Sequence, residues 1–342
     1  MDMNHHWTVA LTRGGRVESL HRGHCAVVDA QGALRALWGD AGRVVFPRSS
    51  FKMIQALPLA MAAEGMLSAP SPQWLALACG SHQGQPFHVQ AIEAWLEALR
   101  LGEQDLVCGM ARPQRDGDAL ALAAAGKDVW RRVHHNCSGK HCGLLQVCRH
   151  EGWSVAEYAL PGHPLQRRID ALLRELSAVP DDGLFWGEDG CGLPTPALPL
   201  HHLARAMAVL GQRGQHPQST LLGQAAGRLI SAVRACPAWT AGEDALAVRV
   251  VAATGGRVWI KSGAEGMHVA MVPEAGLGLA LKAEDGAHRA SELALLWVLA
   301  EMGLLEGRAR VELEASMHPP LCNDAGRPVG RMVWGGVTPL RG

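Results

Sequence analysis

Two serines and two lysines carry the chemistry most readily read from this chain. Ser49 and Lys52 lie three residues apart in the stretch Phe46–Pro58, where a β-rich run ends at Pro47 and an apolar helix begins. On a helix, positions i and i+3 share a face, so the hydroxyl and the amine come within hydrogen-bond reach. A serine needs a base to attack at neutral pH, and a lysine serves only if burial or a nearby cation lowers its pKa and leaves it neutral. Phe51, Met53, Ile54, Ala56 and Leu57 flank Lys52 and disfavour its ammonium form. Alone the pair says little, because a serine N-cap followed by a lysine in the first turn is commonplace.

Two downstream segments give the pair weight. Lys261-Ser262-Gly263 closes a predicted strand after Val258-Trp259-Ile260, and Ser81 comes after the short apolar run 74–79. Read singly, Ser81 is a turn serine before Pro86 and Lys261 a solvated lysine at a strand end. Together they repeat the order Ser-x-x-Lys, middle Ser, Lys-[Ser/Thr]-Gly found in serine β-lactamases and penicillin-binding proteins. The middle motif reads Ser81-His82-Gln83 and lacks an asparagine two residues on, which counts against β-lactam chemistry.

A second constellation joins Cys137-Ser138-Gly139-Lys140-His141-Cys142 to Asp189-Gly190-Cys191. Two thiols on separate loops, with a histidine and a carboxylate nearby in sequence, can hold a metal, and Cys with His favours zinc. No Cys-x-x-Cys occurs, so this is not a zinc finger. Cys142 and Cys148 read as helix-core residues. Cys137 and Cys191 sit in Gly-rich polar turns, where a small apolar core residue is not expected. On residue type alone His141 comes before Lys140 as a further ligand.

The elements that must position these groups fall in blocks. Short strands are predicted over 7–12, 16–21, 24–29 and 33–38, divided by glycines. Helices are expected from Ser49 to about Gly65, over 86–99 and 113–126, from the 138–143 loop to about 150, and over 164–176, 199–211 and 219–234. Gly187–Pro194 is turn chemistry with no room for a strand. Strands return over 256–261, 266–273 and 276–283, then a helix over 286–302 and a strand over 329–334. Runs rather than alternation imply an α+β fold, with one antiparallel sheet assembled from both ends and a helical lobe at about 85–240. No linker or repeat divides the 342 residues, so one catalytic domain is expected.

Composition excludes several roles. There are 32 basic and 32 acidic residues and no basic block, which argues against nucleic acid and anionic membrane as partners. No apolar run approaches a membrane span, and Met1–Trp7 has no basic region leading into an apolar core; a soluble, cytoplasmic protein is expected. Its nine cysteines should then be reduced, buried or metal-binding. Lysines occur only at 52, 127, 140, 261 and 282, and three of these lie in the motifs described.

The segments Phe46–Pro58, Cys79-Gly80-Ser81-His82, His135-Asn136-Cys137-Ser138-Gly139-Lys140-His141, Asp189–Pro194 and Lys261–Gly266 resemble those of the Rhizobium etli-type L-asparaginases. The similarity runs from Glu18–Gly23 to Val329-Gly330. The resemblance implies a fold related to serine β-lactamases and glutaminases, and a homodimer. It implies two Ser-Lys tandems, Ser49–Lys52 and Ser81–Lys261, and a zinc ion held by Cys137, Lys140 and Cys191. It sets Asp189 and His141 beside the metal and Arg48 beside the nucleophile; these three and Gly263 are the expected substrate contacts. Phe51 and Met53 depart from the family's usual choices, and no matched catalytic position is substituted. The implied activity is hydrolysis of L-asparagine to L-aspartate and ammonia, with Ser49 or Ser81 as nucleophile and Ser49 preferred. The alternatives are a glutaminase or another serine hydrolase of that scaffold, and, outside enzymes, a binding protein stapled by zinc.

Overall fold

The computed structural model describes residues 6–66, 68–126 and 130–335. Most of the N-terminal stretch, residues 1–5, and Lys127 lie outside the described residues. The strands are β1 (Trp7–Arg13), β2 (Arg16–Asp29), β3 (Leu34–Trp38), β4 (Val44–Val45), β5 (Phe185–Glu188), β6 (Pro194–Pro199), β7 (Trp259–Gly263), β8 (Met267–Val272), β9 (Leu277–Ala283), β10 (Pro320–Cys322) and β11 (Pro328–Trp334). The helices are α1 (Lys52–Ala62), α2 (Pro72–Cys79), α3 (Pro86–Ala98), α4 (Asp116–Ala124), α5 (Ser138–Glu151), α6 (Pro164–Ser177), α7 (Leu200–Gln215), α8 (Leu221–Ala235), α9 (Pro237–Thr240), α10 (Leu246–Ala253), α11 (His288–Glu301) and α12 (Arg308–Met317).

An antiparallel sheet in the order β10-β11-β1-β2-β9-β8-β7, with β3 also paired to β2, joins both ends of the chain. This is the α+β architecture implied by the blocks of strands and helices. Side chains alternate across each strand, and β2 shows what that does here. Ala26 and Val28 face the larger core, with α1, α2 and α5–α8. Cys25 and Val27 face a second core, closed by α10, α11 and α12. The sheet is therefore covered on both faces, and the strand edge carrying Lys261 lies beside the start of α1.

Three sequence expectations need correction. The strands expected over 16–21 and 24–29 are one strand, because Gly23 serves packing rather than a turn: a Cβ there would lie 2.0 Å from Lys282 O and 2.3 Å from the Trp7 ring. Gly187–Pro194 is not all turn, since β5 and β6 form a hairpin through Glu188↔Pro194. The three prolines of β6 disguise it, as proline is a poor strand former. Residues 48–51 form a 3-10 turn, and the α-helix begins only at Lys52.

Candidate active site

Ser49 lies in that 3-10 turn, Lys52 at the first position of α1, Ser81 in the loop leaving α2, and Lys261 in β7. Two close approaches bring Lys52, Ser81 and Lys261 together beside the turn that holds Ser49. Gly263 lets β7 meet the turn, since a Cβ there would stand 2.3 Å from Pro47 O. Gly80 lies against Thr240, whose carbonyl accepts from Ser81 N at 2.7 Å.

Ser81 Oγ then sits between two amines, 2.9 Å from Lys52 Nζ and 2.9 Å from Lys261 Nζ. Lys52 Nζ also donates to Gly80 O at 2.6 Å and Asn136 O at 3.2 Å. Lys261 Nζ donates to Ser262 O at 2.8 Å. Both lysines are buried. Burial lowers the Lys261 pKa well below the usual lysine range, and the facing Lys52 charge lowers it further. Burial lowers Lys52 too, but Cys137 pulls in the opposite direction. Ser49 is half-buried, and among the described residues its hydroxyl has no hydrogen bond.

The residue before Ser49 is strained. Arg48 has φ +51°, a left-handed conformation that side chains rarely adopt. Its Nε donates to Asp189 Oδ1 at 2.6 Å, which ties the serine turn to the β5–β6 hairpin. That hairpin carries Cys191, and Lys140 Nζ lies 3.1 Å from Cys191 Sγ. Cys137, at the head of α5, hydrogen-bonds Cys191. That bond holds Cys137 well below the ordinary thiol pKa and raises Cys191. Burial opposes the Lys140 ammonium, but Cys191 and Cys137 outweigh it and raise its pKa.

His141, the ligand favoured on residue type alone, is engaged on one side by Tyr158. Tyr158 Oη accepts from Val107 N at 3.0 Å, so its proton goes to His141 Nδ1 at 2.7 Å. In that tautomer His141 carries its own proton on Nε2, which is buried and unpartnered among the described residues. Tyr158, the chain's one tyrosine, carries no sequence signal for this contact. Nor does residue spacing single out His82. Ser138 Oγ donates to Val133 O at 2.9 Å, so His82 Nε2 donates to Ser138 at 2.9 Å while its Nδ1 accepts from Gly84 N. Ser81 is thereby anchored to the head of α5.

A cavity of about 320 Å³ reaches Ser81 and Ser262 and is walled by His268, His288 and Glu292. A larger hollow of about 780 Å³ lies along α8 and contains none of these groups, so the smaller one is the relevant space.

Fold and site together define an α+β protein that sets one serine hydroxyl, at the edge of a cavity, between two buried amines. The chain belongs to the L-asparaginase II family, whose model matches residues 9–334. Membership supports an asparaginase-type amidohydrolase activity on a small-molecule substrate. No curated protein sequence matches the chain. Among solved structures it is similar to a β-lactamase from Mycobacterium bovis, at 16% identity and TM-score 0.44, over 82% of this chain and 94% of that one. It is also similar to Mglu in its tris and glutamate form, at 17% identity and TM-score 0.44, covering 84% of this chain but only 60% of Mglu. A D-alanine carboxypeptidase from Burkholderia cenocepacia matches at 14% identity and TM-score 0.38, over 78% and 88% of the two chains.

Proposed function

We propose that this chain is an L-asparaginase that hydrolyses the side-chain amide of L-asparagine through a serine ester. The observation that carries the reading is Ser81 Oγ at 2.9 Å from both Lys52 Nζ and Lys261 Nζ. A hydroxyl so placed can accept a proton from one amine while passing its own to the other. Ser81 is therefore the relay, and Ser49, whose hydroxyl is uncommitted, is the nucleophile. A proton handed from Lys52 through Ser81 to Lys261 leaves Lys52 neutral, and Lys52 then takes the Ser49 proton as the Oγ–C bond forms. Collapse of the tetrahedral adduct expels ammonia, which receives that proton from Lys52. Water repeats the sequence on the acyl-enzyme and releases L-aspartate.

Ser50 N–H is taken by Pro47 O at 3.0 Å, which leaves Ser49 N–H as the donor at the turn for the developing oxyanion. Arg48, Asp189, Gly263 and the unpartnered Nε2–H of His141 are the groups assigned to substrate.

The donor set of Cys137, Cys191 and Lys140 fits zinc: two soft sulfurs and an amine converge in a buried site, and the charge of two thiolates matches a dication. Lys140 must lose its proton to coordinate, so binding is coupled to proton release. When bound, the ion would fix the hairpin against α5 and so hold the Arg48–Asp189 pair. The same reading makes the chain one catalytic unit, a homodimer and cytoplasmic. Among the described residues no helix is long and apolar enough to cross a membrane.

Ammonia release from L-asparagine, L-glutamine and D-asparagine by the purified protein tests the assignment. Turnover of L-asparagine well above the other two is expected; equal release from L-glutamine points to a glutaminase, and none from any amide removes the enzyme reading. Ser49→Ala and Ser81→Ala should each lower kcat by roughly 10²–10⁴-fold, the range of a lost proton-transfer or nucleophilic group. A serine whose loss leaves turnover near that of the parent has no part in the mechanism.

A further inference from the structure

The geometry points to a second metal site, for a divalent transition cation of the zinc class, formed by His268, His288 and Glu292 on the wall of the cavity that reaches Ser81. The three residues each offer one ligand atom, and these atoms all lie within 4.8 Å of one another. They come from two elements. His268 lies on β8, directly across from Ser262. His288 and Glu292 lie four apart on α11, so both project from one face of the helix. Two imidazoles and one carboxylate, with a position left for water, are a familiar ligand set for zinc.

Independent features of the cluster favour a ligand there. His268 is only 1% exposed, yet its Nδ1 has no hydrogen-bond partner among the described residues. A buried polar atom left unpaired costs free energy that a coordinate bond would recover. The rings of His268 and His288 stack at 5.2 Å, and His288 Nε2 lies 3.3 Å from Glu292 Oε1, so the donors are already close in the absence of an ion. Entry is open, because His288 is exposed at the cavity wall and Glu292 half-buried beside it. The other cluster of similar composition, His6, His24 and Glu284, fails the same reasoning. His24 Nδ1 accepts from Asp40 N at 3.0 Å, so its Nε2 carries the proton and faces Glu284 at 3.1 Å with no lone pair to give.

The site contains no sulfur, which separates it experimentally from Cys137 and Cys191. Titration of the full-length protein with Co²⁺, followed by equilibrium dialysis and absorption, is the test. Cobalt on thiolates gives an intense near-ultraviolet sulfur-to-metal band. Cobalt on imidazole and carboxylate gives only weak visible bands. The expected result is one bound equivalent without the sulfur band, in addition to any that carries it. Glu292→Gln and His288→Ala, both at accessible positions, should each weaken that equivalent by roughly 10-fold or more and leave the sulfur band unchanged. Retention of full Co²⁺ stoichiometry and affinity by both variants overturns the proposal, as does the absence of any sulfur-free equivalent in the parent protein. Absence of the sulfur band alone bears on the thiolate site and leaves the histidine site standing.

Discussion

Lys52 and Lys261 share one serine but differ in what else they touch. Lys52 Nζ meets three oxygens, of Gly80, Ser81 and Asn136, and also hydrogen-bonds Cys137, acceptors that favour an ammonium. Among the described residues Lys261 Nζ meets only Ser81 and Ser262 O, which suits an amine with a free lone pair. In the proposed mechanism the resting proton belongs to Lys52, and Lys261 sets the pH dependence. Its pKa is pushed well below the ordinary lysine range by burial, then by Lys52. As pH falls through the lowered pKa, Lys261 gains a proton and can no longer receive one from Ser81, so kcat should drop on the acid side. Above it, kcat should level off instead of rising toward the ordinary lysine range. A rate that still climbs steeply near pH 10, about the usual lysine value, argues that Lys261 is not the acceptor. Folding has the same sign: an unfolded lysine binds a proton that the folded one resists, so this residue costs stability at neutral pH. Lys261→Met should raise the melting temperature while abolishing turnover, and a lower melting temperature contradicts that account. These lysines are legible in the sequence because lysine is scarce in this chain and three of the five, these two among them, lie in motifs. Tyr158 is not, since its bond to His141 is set by tertiary placement alone.

At the scale of elements, the site depends on β7 lying against the turn that precedes α1, and Gly263 permits this. An added methyl would meet Pro47 O, a backbone atom that cannot rotate aside. Gly263→Ala should therefore move β7 and Lys261 away from the turn. Overpacking of this kind costs about 1–3 kcal/mol. The expected reading is a lowered denaturation midpoint together with reduced kcat; an unchanged kcat would mean that the contact does not set the lysine–serine geometry. Strand and helix types are legible wherever hydrophobic spacing is regular, as in α7 and α8. They are hidden where packing replaces pattern. Gly23 looks like a turn because its contact with Trp7 is absent from local sequence. The helix α2 is too short for periodicity to identify, although its start is written in Ser71, which accepts from Trp74 N at 3.2 Å, and in Pro72 at its first position.

Across the whole molecule, the head of α5 and the β5–β6 hairpin meet at the thiol cluster and at the Arg48–Asp189 pair beside it, and metal removal should be felt there first. Without an ion, the Cys137–Cys191 hydrogen bond and the Lys140 amine against Cys191 still hold the cluster together. The loss of stability is then set by binding alone: a metal present at about 100-fold over its dissociation constant stabilises the fold by about 2.7 kcal/mol. In a chain of this size each kcal/mol moves the melting temperature by roughly 1–2 °C. A strong chelator should accordingly lower it by roughly 3–5 °C and leave the protein folded. Turnover should fall as Arg48 and the serine turn loosen, and it should return when zinc is restored. Cys191→Ser should reproduce the stability loss without recovery. If the chelator instead removes all turnover while melting temperature and secondary structure stay unchanged, the ion takes part in the bond cleavage itself, and the relay through Ser81 is not sufficient for the chemistry.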